Sequence, residues 1–88
     1  MVNPFVDEVI NSKERIRTFS ASVVSDELIW HRDKSTRIVE VLSGEGWLFQ
    51  MDECMPVEMH VGDVYKIPAY AYHRVKRGTT DLKLRIIE

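Results

Sequence analysis

Alternation of apolar and polar positions dominates the chain from Arg17 onward. Phe19, Ala21 and Val23 alternate with Thr18, Ser20 and Ser22, the period-two pattern of a strand with one buried face. Asp26-Glu27 breaks that run, and residues 28–33 begin another. Residues 37–43 set Val39 and Val41 against Ile38, Glu40 and Leu42, so both faces are partly apolar. Gly44-Glu45-Gly46 predicts a tight hairpin leading into a return strand over 47–51. Shorter strands follow over 57–59, 64–67, 72–76 and 82–87. Asp52-Glu53, Val61-Gly62-Asp63 and Gly78-Thr79-Thr80 separate them as turns, and Pro68 sits at a strand end where it is tolerated. Many short strands with closely spaced turns indicate a sandwich, jelly roll or barrel. No helices are available to cross over between parallel strands. The expected architecture is all-β, an antiparallel jelly-roll barrel. Ahead of it, Asn3-Pro4 followed by Val6, Val9 and Ile10 reads as one short N-terminal helix, although Val and Ile suit a strand equally well.

The hairpin sets an expected parity. With Gly44-Glu45 as a two-residue turn, Ser43 pairs with Gly46 and Val39 with Gln50. Leu48 and Gln50 then face inward beside Arg37, Val39 and Val41. Trp30, Trp47 and Phe49 face outward, and such an apolar outer face needs a cover, which suggests a homodimer formed sheet to sheet.

Size and charge bound the class. At 88 residues the chain is long enough for one domain, 1–88, with one thin core. Apolar residues make up 44% and charged residues 30%, ordinary globular proportions that argue against disorder. A net charge of −2 gives no basic excess for nucleic acid. Apolar runs as short as Leu28-Ile29-Trp30 are far below a membrane span. Asp7, Glu8, Lys13 and Glu14 exclude a secretory h-region near the N-terminus. Cys54 is alone and can form no internal disulfide, which fits a reducing, cytoplasmic setting.

Two motifs narrow the picture further. One is His31-x-Asp33 with Arg37 and then Gly44. The other is Gly62-Asp63-x-x-x-Ile67-Pro68-Ala69-x-x-x-His73. Over Ser25 to about Arg77 the chain resembles the cupin superfamily, a small jelly-roll barrel. Gly62, Pro68 and His73 stand at positions of the second cupin motif, and His31 and Gly44 fit the spacing of the first. The departures are as informative. Asp33 stands where the second ligand His would be and Arg37 where the ligand Glu would be. Tyr70 replaces the glycine of the second motif, Ser25 the opening glycine of the first, and Arg77 the trailing asparagine.

Residues i and i+2 of a strand face the same way, so His31 and Asp33 would both point into the barrel. The resemblance brings His73 in from the opposing strand, and the three converge. Two histidines and one carboxylate make the facial triad of non-haem Fe(II) oxygenases. The resemblance thus implies a divalent metal at His31, Asp33 and His73, iron first, with manganese, nickel or zinc as alternatives. His-x-Asp with a distal His is also the ligand order of the 2-oxoglutarate-dependent oxygenases, themselves jelly rolls. Arg37, on the inward row, would either hold an anionic ligand through its planar fork or pair with Asp33 and leave no metal site, two nearly exclusive pictures. Gln50 and Tyr70 complete the candidate substrate contacts, Tyr70 at the barrel mouth. His60, beside a turn, and Cys54, with no base partner, are set aside. Arg74, Lys76 and Arg77 read as a solvated strand face. The expected function is a metal-dependent, dioxygenase-like barrel acting on or binding a small anionic molecule. The alternatives are a non-catalytic barrel for an anion or sugar, and a metal-independent sugar isomerase or epimerase.

Overall fold

The computed structural model describes residues 4–88 and contains eight strands, with one 3-10 turn over Ser25–Glu27. The strands are β1 (Phe5–Val9), β2 (Glu14–Phe19), β3 (Arg37–Ser43), β4 (Leu48–Met51), β5 (Val57–Glu58), β6 (Val64–Ile67), β7 (His73–Lys76) and β8 (Leu82–Ile87). They form a five-stranded sheet in the order β1-β2-β8-β3-β6 and a three-stranded sheet in the order β5-β4-β7. Every pairing is antiparallel, as the turn-rich, helix-poor sequence requires. The sheets do not join into a closed ring of hydrogen bonds among the described residues, so the architecture is a jelly-roll sandwich rather than a sealed barrel. An isolated bridge between His31 and His73 extends the smaller sheet by one residue pair.

Several expectations change at this level. The start of the expected N-terminal helix, Asn3, lies outside the described residues. Its stripe does not form a helix: Phe5 to Val9 is a strand paired residue by residue with Arg15 to Phe19. The β-branched Val6 and Val9 pair readily in that ladder. The second strand begins at Glu14 and ends at Phe19, and the alternation beyond it continues only as a loop that buries Val23. Residues 28–33 are likewise not a continuous strand.

The largest correction concerns Gly44 to Gly46. The expected hairpin would join β3 to β4, yet β3 pairs with β6 and β8, while β4 pairs with β5 and β7. Gly44 and Gly46 take positive φ, +138° and +78°, and turn the chain across from one sheet to the other. Ser43 therefore lies opposite Lys83 rather than Gly46, and Val39 opposite Tyr65 and Ile86 rather than Gln50. Parity carried from β3 across a presumed hairpin cannot hold for a strand in the facing sheet. Trp47 and Phe49 consequently point inward, 0% and 7% exposed, and Leu48 and Gln50 do not.

A second loop seals this corner. Thr79 N–H donates to the Glu45 carbonyl at 2.9 Å, Glu45 N–H to Thr80 Oγ1 at 2.9 Å, and the Trp47 indole N–H to the Thr80 carbonyl at 2.6 Å. Gly78 lies so close that a β-carbon there would overlap the Glu45 carbonyl and both backbone and ring of Trp47. The core between the sheets holds Phe19, Val39, Val41, Trp47, Phe49, Met59, Ile67, Leu82, Leu84 and Ile86. Val39, Val41 and Arg37 share the inward row of β3, as the alternation predicts.

Candidate metal centre

The site is built where the last residues of the 28–33 loop meet the start of β7. The N–H of His31 donates to the His73 carbonyl at 3.0 Å, and the N–H of His73 to the His31 carbonyl at 2.9 Å. This reciprocal pairing of two directly opposed residues brings their rings to 4.2 Å between centroids. Asp33 lies two residues on and is anchored by its carbonyl, which accepts the N–H of Tyr70 at 2.7 Å. One donor atom from each of His31, Asp33 and His73 falls within 4.8 Å of the others. The structure thus brings together the three residues expected from the motifs.

The ring tautomers follow from the backbone. Nδ1 of His73 lies 2.8 Å from the Ala71 carbonyl, and Nδ1 of His31 lies 3.3 Å from the Ile29 carbonyl. A carbonyl only accepts, so each Nδ1 carries a proton, and a neutral ring so held keeps its lone pair on Nε2. His73 is 5% exposed, and this burial, reinforced by the neighbouring His31, pushes its pKa below the usual histidine value despite the opposing Ala71 contact. The ring is therefore neutral at neutral pH.

The donor set fits a cation. Asp33 Oδ2 is buried without a hydrogen-bond partner and stands 3.4 Å from Nε2 of His73. With the ring neutral and Nδ1 protonated, two lone pairs face each other with no proton between them. Such an arrangement is unfavourable in a low-dielectric interior unless a positive ion lies between the acceptors.

Of the two pictures that the sequence set against each other, the structure shows the pairing of Arg37 with Asp33, and only through one oxygen. Arg37 Nη1 meets Asp33 Oδ1 at 3.2 Å, while its Nε donates to one oxygen of Glu88 at 2.8 Å and its Nη2 lies 2.7 Å from the same oxygen. One Asp33 oxygen is thus paired and the other is open, so the ion pair does not consume the ligand.

The triad and Arg37 line a cavity of about 350 Å³ whose walls include Val39, Met59, Ile67, Leu84 and Ile86. Gln50 and Tyr70 do not line it. The Gln50 amide donates to the Cys54 carbonyl at 2.9 Å and accepts from Arg74 Nε at 2.9 Å, because β4 turns Phe49, not Gln50, inward. Tyr70 is 59% exposed and adopts φ +65°; its contribution is the backbone N–H that fixes Asp33. Arg74 and Arg77 are also more than a solvated face, since Arg74 stacks over Trp30 at 4.4 Å and Arg77 donates to the Val23 carbonyl at 2.9 Å. His60 and Cys54 are exposed and do not line the cavity.

Two charged residues were missed by motif reasoning. Glu88 continues the inward parity of Leu82, Leu84 and Ile86, and Arg17 shares the inward parity of Phe19. Alternation alone could have flagged both. Arg17 is 8% exposed, holds Asp7 through Nε and Nη2 at 2.8 and 3.0 Å, and covers the Phe5 ring at 3.6 Å. Arg15 links Asp7 to Glu88 at 3.7 and 3.6 Å. A chain of alternating charges therefore runs along the inner face from Asp7 to Asp33.

Partial burial alone would raise the pKa of Asp7, but the bond to Arg17 and the charges of Arg17, Arg15 and Arg37 outweigh it and hold the carboxyl below its ordinary 3.8. The stabilisation is complete above that value and is lost as pH falls through the lower, folded-state pKa. Asp7→Asn is expected to cost about 1–3 kcal/mol by leaving Arg17 unpaired. Urea melts at pH 7 and in the acid range should show the variant lacking this part of the parent's acid sensitivity.

Neither a family model nor a curated protein matches the sequence. Solved structures do. A cupin domain from Bordetella pertussis Tohama I superposes with a TM-score of 0.64 at 18% identity, covering 100% of this chain and 96% of that one. A DMSP lyase structure gives 0.71 at 18% identity over 83% of this chain, which spans only 35% of the lyase chain. A protein from Ralstonia eutropha JMP134, provisionally named a mannose-6-phosphate isomerase, gives 0.70 at 22% identity, with 94% and 80% of the two chains covered. The chain has the cupin fold.

Proposed function

We propose that this protein is a small cupin-fold metalloprotein that binds a divalent ion, iron first, through His31, Asp33 and His73, and acts on a small anionic molecule in a dioxygenase-like reaction. The observation that carries the reading is the buried, unpartnered Asp33 Oδ2 standing 3.4 Å from His73 Nε2, with His31 beside it. Two imidazoles and one carboxylate suit iron, manganese, nickel or zinc, and a bound ion would supply Lewis acidity and open positions for substrate and oxygen. The chain's own residues do the rest. The Ala71 and Ile29 carbonyls hold the rings in the ligating tautomer, Arg37 orients the anionic group, and the apolar walls exclude water from the reacting end. The reading includes a cytoplasmic homodimer, supported by the lone Cys54 and by exposed Val6 and Val9 on the open edge strand β1.

A second reading is a non-catalytic barrel for an anion or sugar, favoured by the 3.2 Å Arg37–Asp33 contact. A sugar isomerase or epimerase without metal, with a histidine as general base, is the third, supported by the Ralstonia likeness. Elemental analysis of protein purified without chelator or metal-affinity resin separates them. Near-stoichiometric metal is the expected result, and oxygen-uptake screens with small organic acids then test the reaction class. Protein that stays metal-free after reconstitution with Fe(II) overturns the first reading in favour of the others.

A further inference from the structure

We infer that Arg37, set by Glu88, acts as a switch on the third metal ligand, so that a metal ion and an anionic ligand bind this centre with positive coupling. The inference rests on the metal reading above and adds how the site is regulated and what ligand it takes.

Asp33 and Arg37 are held in an unequal contact. A guanidinium fork fits a carboxylate best through two parallel N–H donors. Here Nε and Nη2 are committed to Glu88 at 2.8 and 2.7 Å. Asp33 receives only Nη1, at 3.2 Å and on one oxygen. Glu88 is itself steadied by Arg15 at 3.6 Å and stands outside the cavity lining, whereas Asp33 and Arg37 both line it. An anion entering the cavity therefore competes with Asp33 for Arg37, not with Glu88.

The exchange conserves charge pairing in both directions. An anion on Nη1 releases Asp33 Oδ1, and the carboxylate can then give its full charge to the ion. An ion on Asp33 loosens the contact to Nη1 and leaves that donor for an anion. Each ligand relieves what the other leaves unpaired, and linkage makes the two effects equal. The ligand class follows from the walls: a carboxylate or phosphate monoester on an apolar body that packs against Val39, Met59, Ile67, Leu84 and Ile86. Glu88 is a positioning residue. Without its charge, the fork is free to turn both donors onto Asp33 and compete with the metal.

Titration calorimetry with Ni(II) tests this on the tag-free parent, Arg37→Met, Glu88→Gln and the double variant. Each is measured alone and with saturating benzoate, phenyl phosphate or the neutral control benzamide. Arg37→Gln replaces Arg37→Met should the latter fail to fold. In the parent, at least one anion is expected to raise Ni(II) affinity about fivefold or more, and benzamide not at all. Arg37→Met should abolish that gain. Glu88→Gln should lower Ni(II) affinity in the parent background and leave it unchanged in the Arg37→Met background. Coupling that survives Arg37→Met shows direct anion–metal contact and overturns the inference, as does absence of coupling with every anion. An equal Glu88→Gln loss in both backgrounds shows a long-range field and overturns the positioning role. A parent that takes up no Ni(II) at all overturns instead the metal reading on which the switch depends.

Discussion

His31→Ala is expected to lower metal affinity by more than about 100-fold while leaving the metal-free protein as stable as the parent within roughly 0.5 kcal/mol. The separation of the two effects comes from burial. His31 is exposed, its ring has one long polar contact to the Ile29 carbonyl at 3.3 Å and an edge contact with the His73 ring, and its hydrogen-bonded pairing with His73 runs through backbone atoms that alanine retains. His73→Ala removes a ligand as well, but His73 is 5% exposed and lies near Phe49, so packing is lost with it. The His31 variant is thus the cleaner probe. Competition with a chromogenic chelator would measure the metal, and urea melts in the presence of chelator would measure the fold. A His31→Ala protein that bound metal like the parent would sink the three-residue centre.

Trp47→Ala should have the largest effect on folding. The side chain is 0% exposed, packs against Phe19 at 5.7 Å between centroids and donates its indole N–H to the Thr80 carbonyl. Truncating a buried tryptophan costs about 3–5 kcal/mol, and the stability of a domain this size is of order 4–13 kcal/mol. The variant is expected to lose most of its native population in mild denaturant, read by far-ultraviolet circular dichroism. Trp30→Ala makes the contrast. Trp30 is 36% exposed, its contact with Arg74 is a cation–π stack at 4.4 Å, and its loss should cost about 1 kcal/mol or less. Equal losses in the two variants would contradict the inward placement of Trp47.

That pair of tryptophans also marks where sequence reading reached its limit. Alternation along one strand identified β3 and β8 to the residue, and placed Arg37, Val39 and Val41 on a common inward row. These are local facts, since side chains alternate wherever the backbone is extended. The shared strand-like i, i+2 face set His31 beside Asp33, and the resemblance carried by the two motifs brought His73 to them from a distant strand. The N-terminal segment was ambiguous for the opposite reason. Val6, Val9 and Ile10 suit helix or strand by composition, and pairing with β2 decided between them.

What the sequence determined by itself is therefore the antiparallel β class, the inward row of β3 and the three candidate ligands. The first two depend on residues near one another in the chain, and the third on the resemblance that the two motifs carry. Tertiary structure alone decided which strands are neighbours. Gly44 to Gly46 permits either a hairpin or a crossing between sheets, and the crossing turned Trp47 and Phe49 inward and moved Gln50 away from the cavity. The partners of Arg37 were decided in the same way. Asp33 and Glu88 lie on opposite sides of it in sequence, and only the pairing of β8 beside β3 lets one guanidinium hold both.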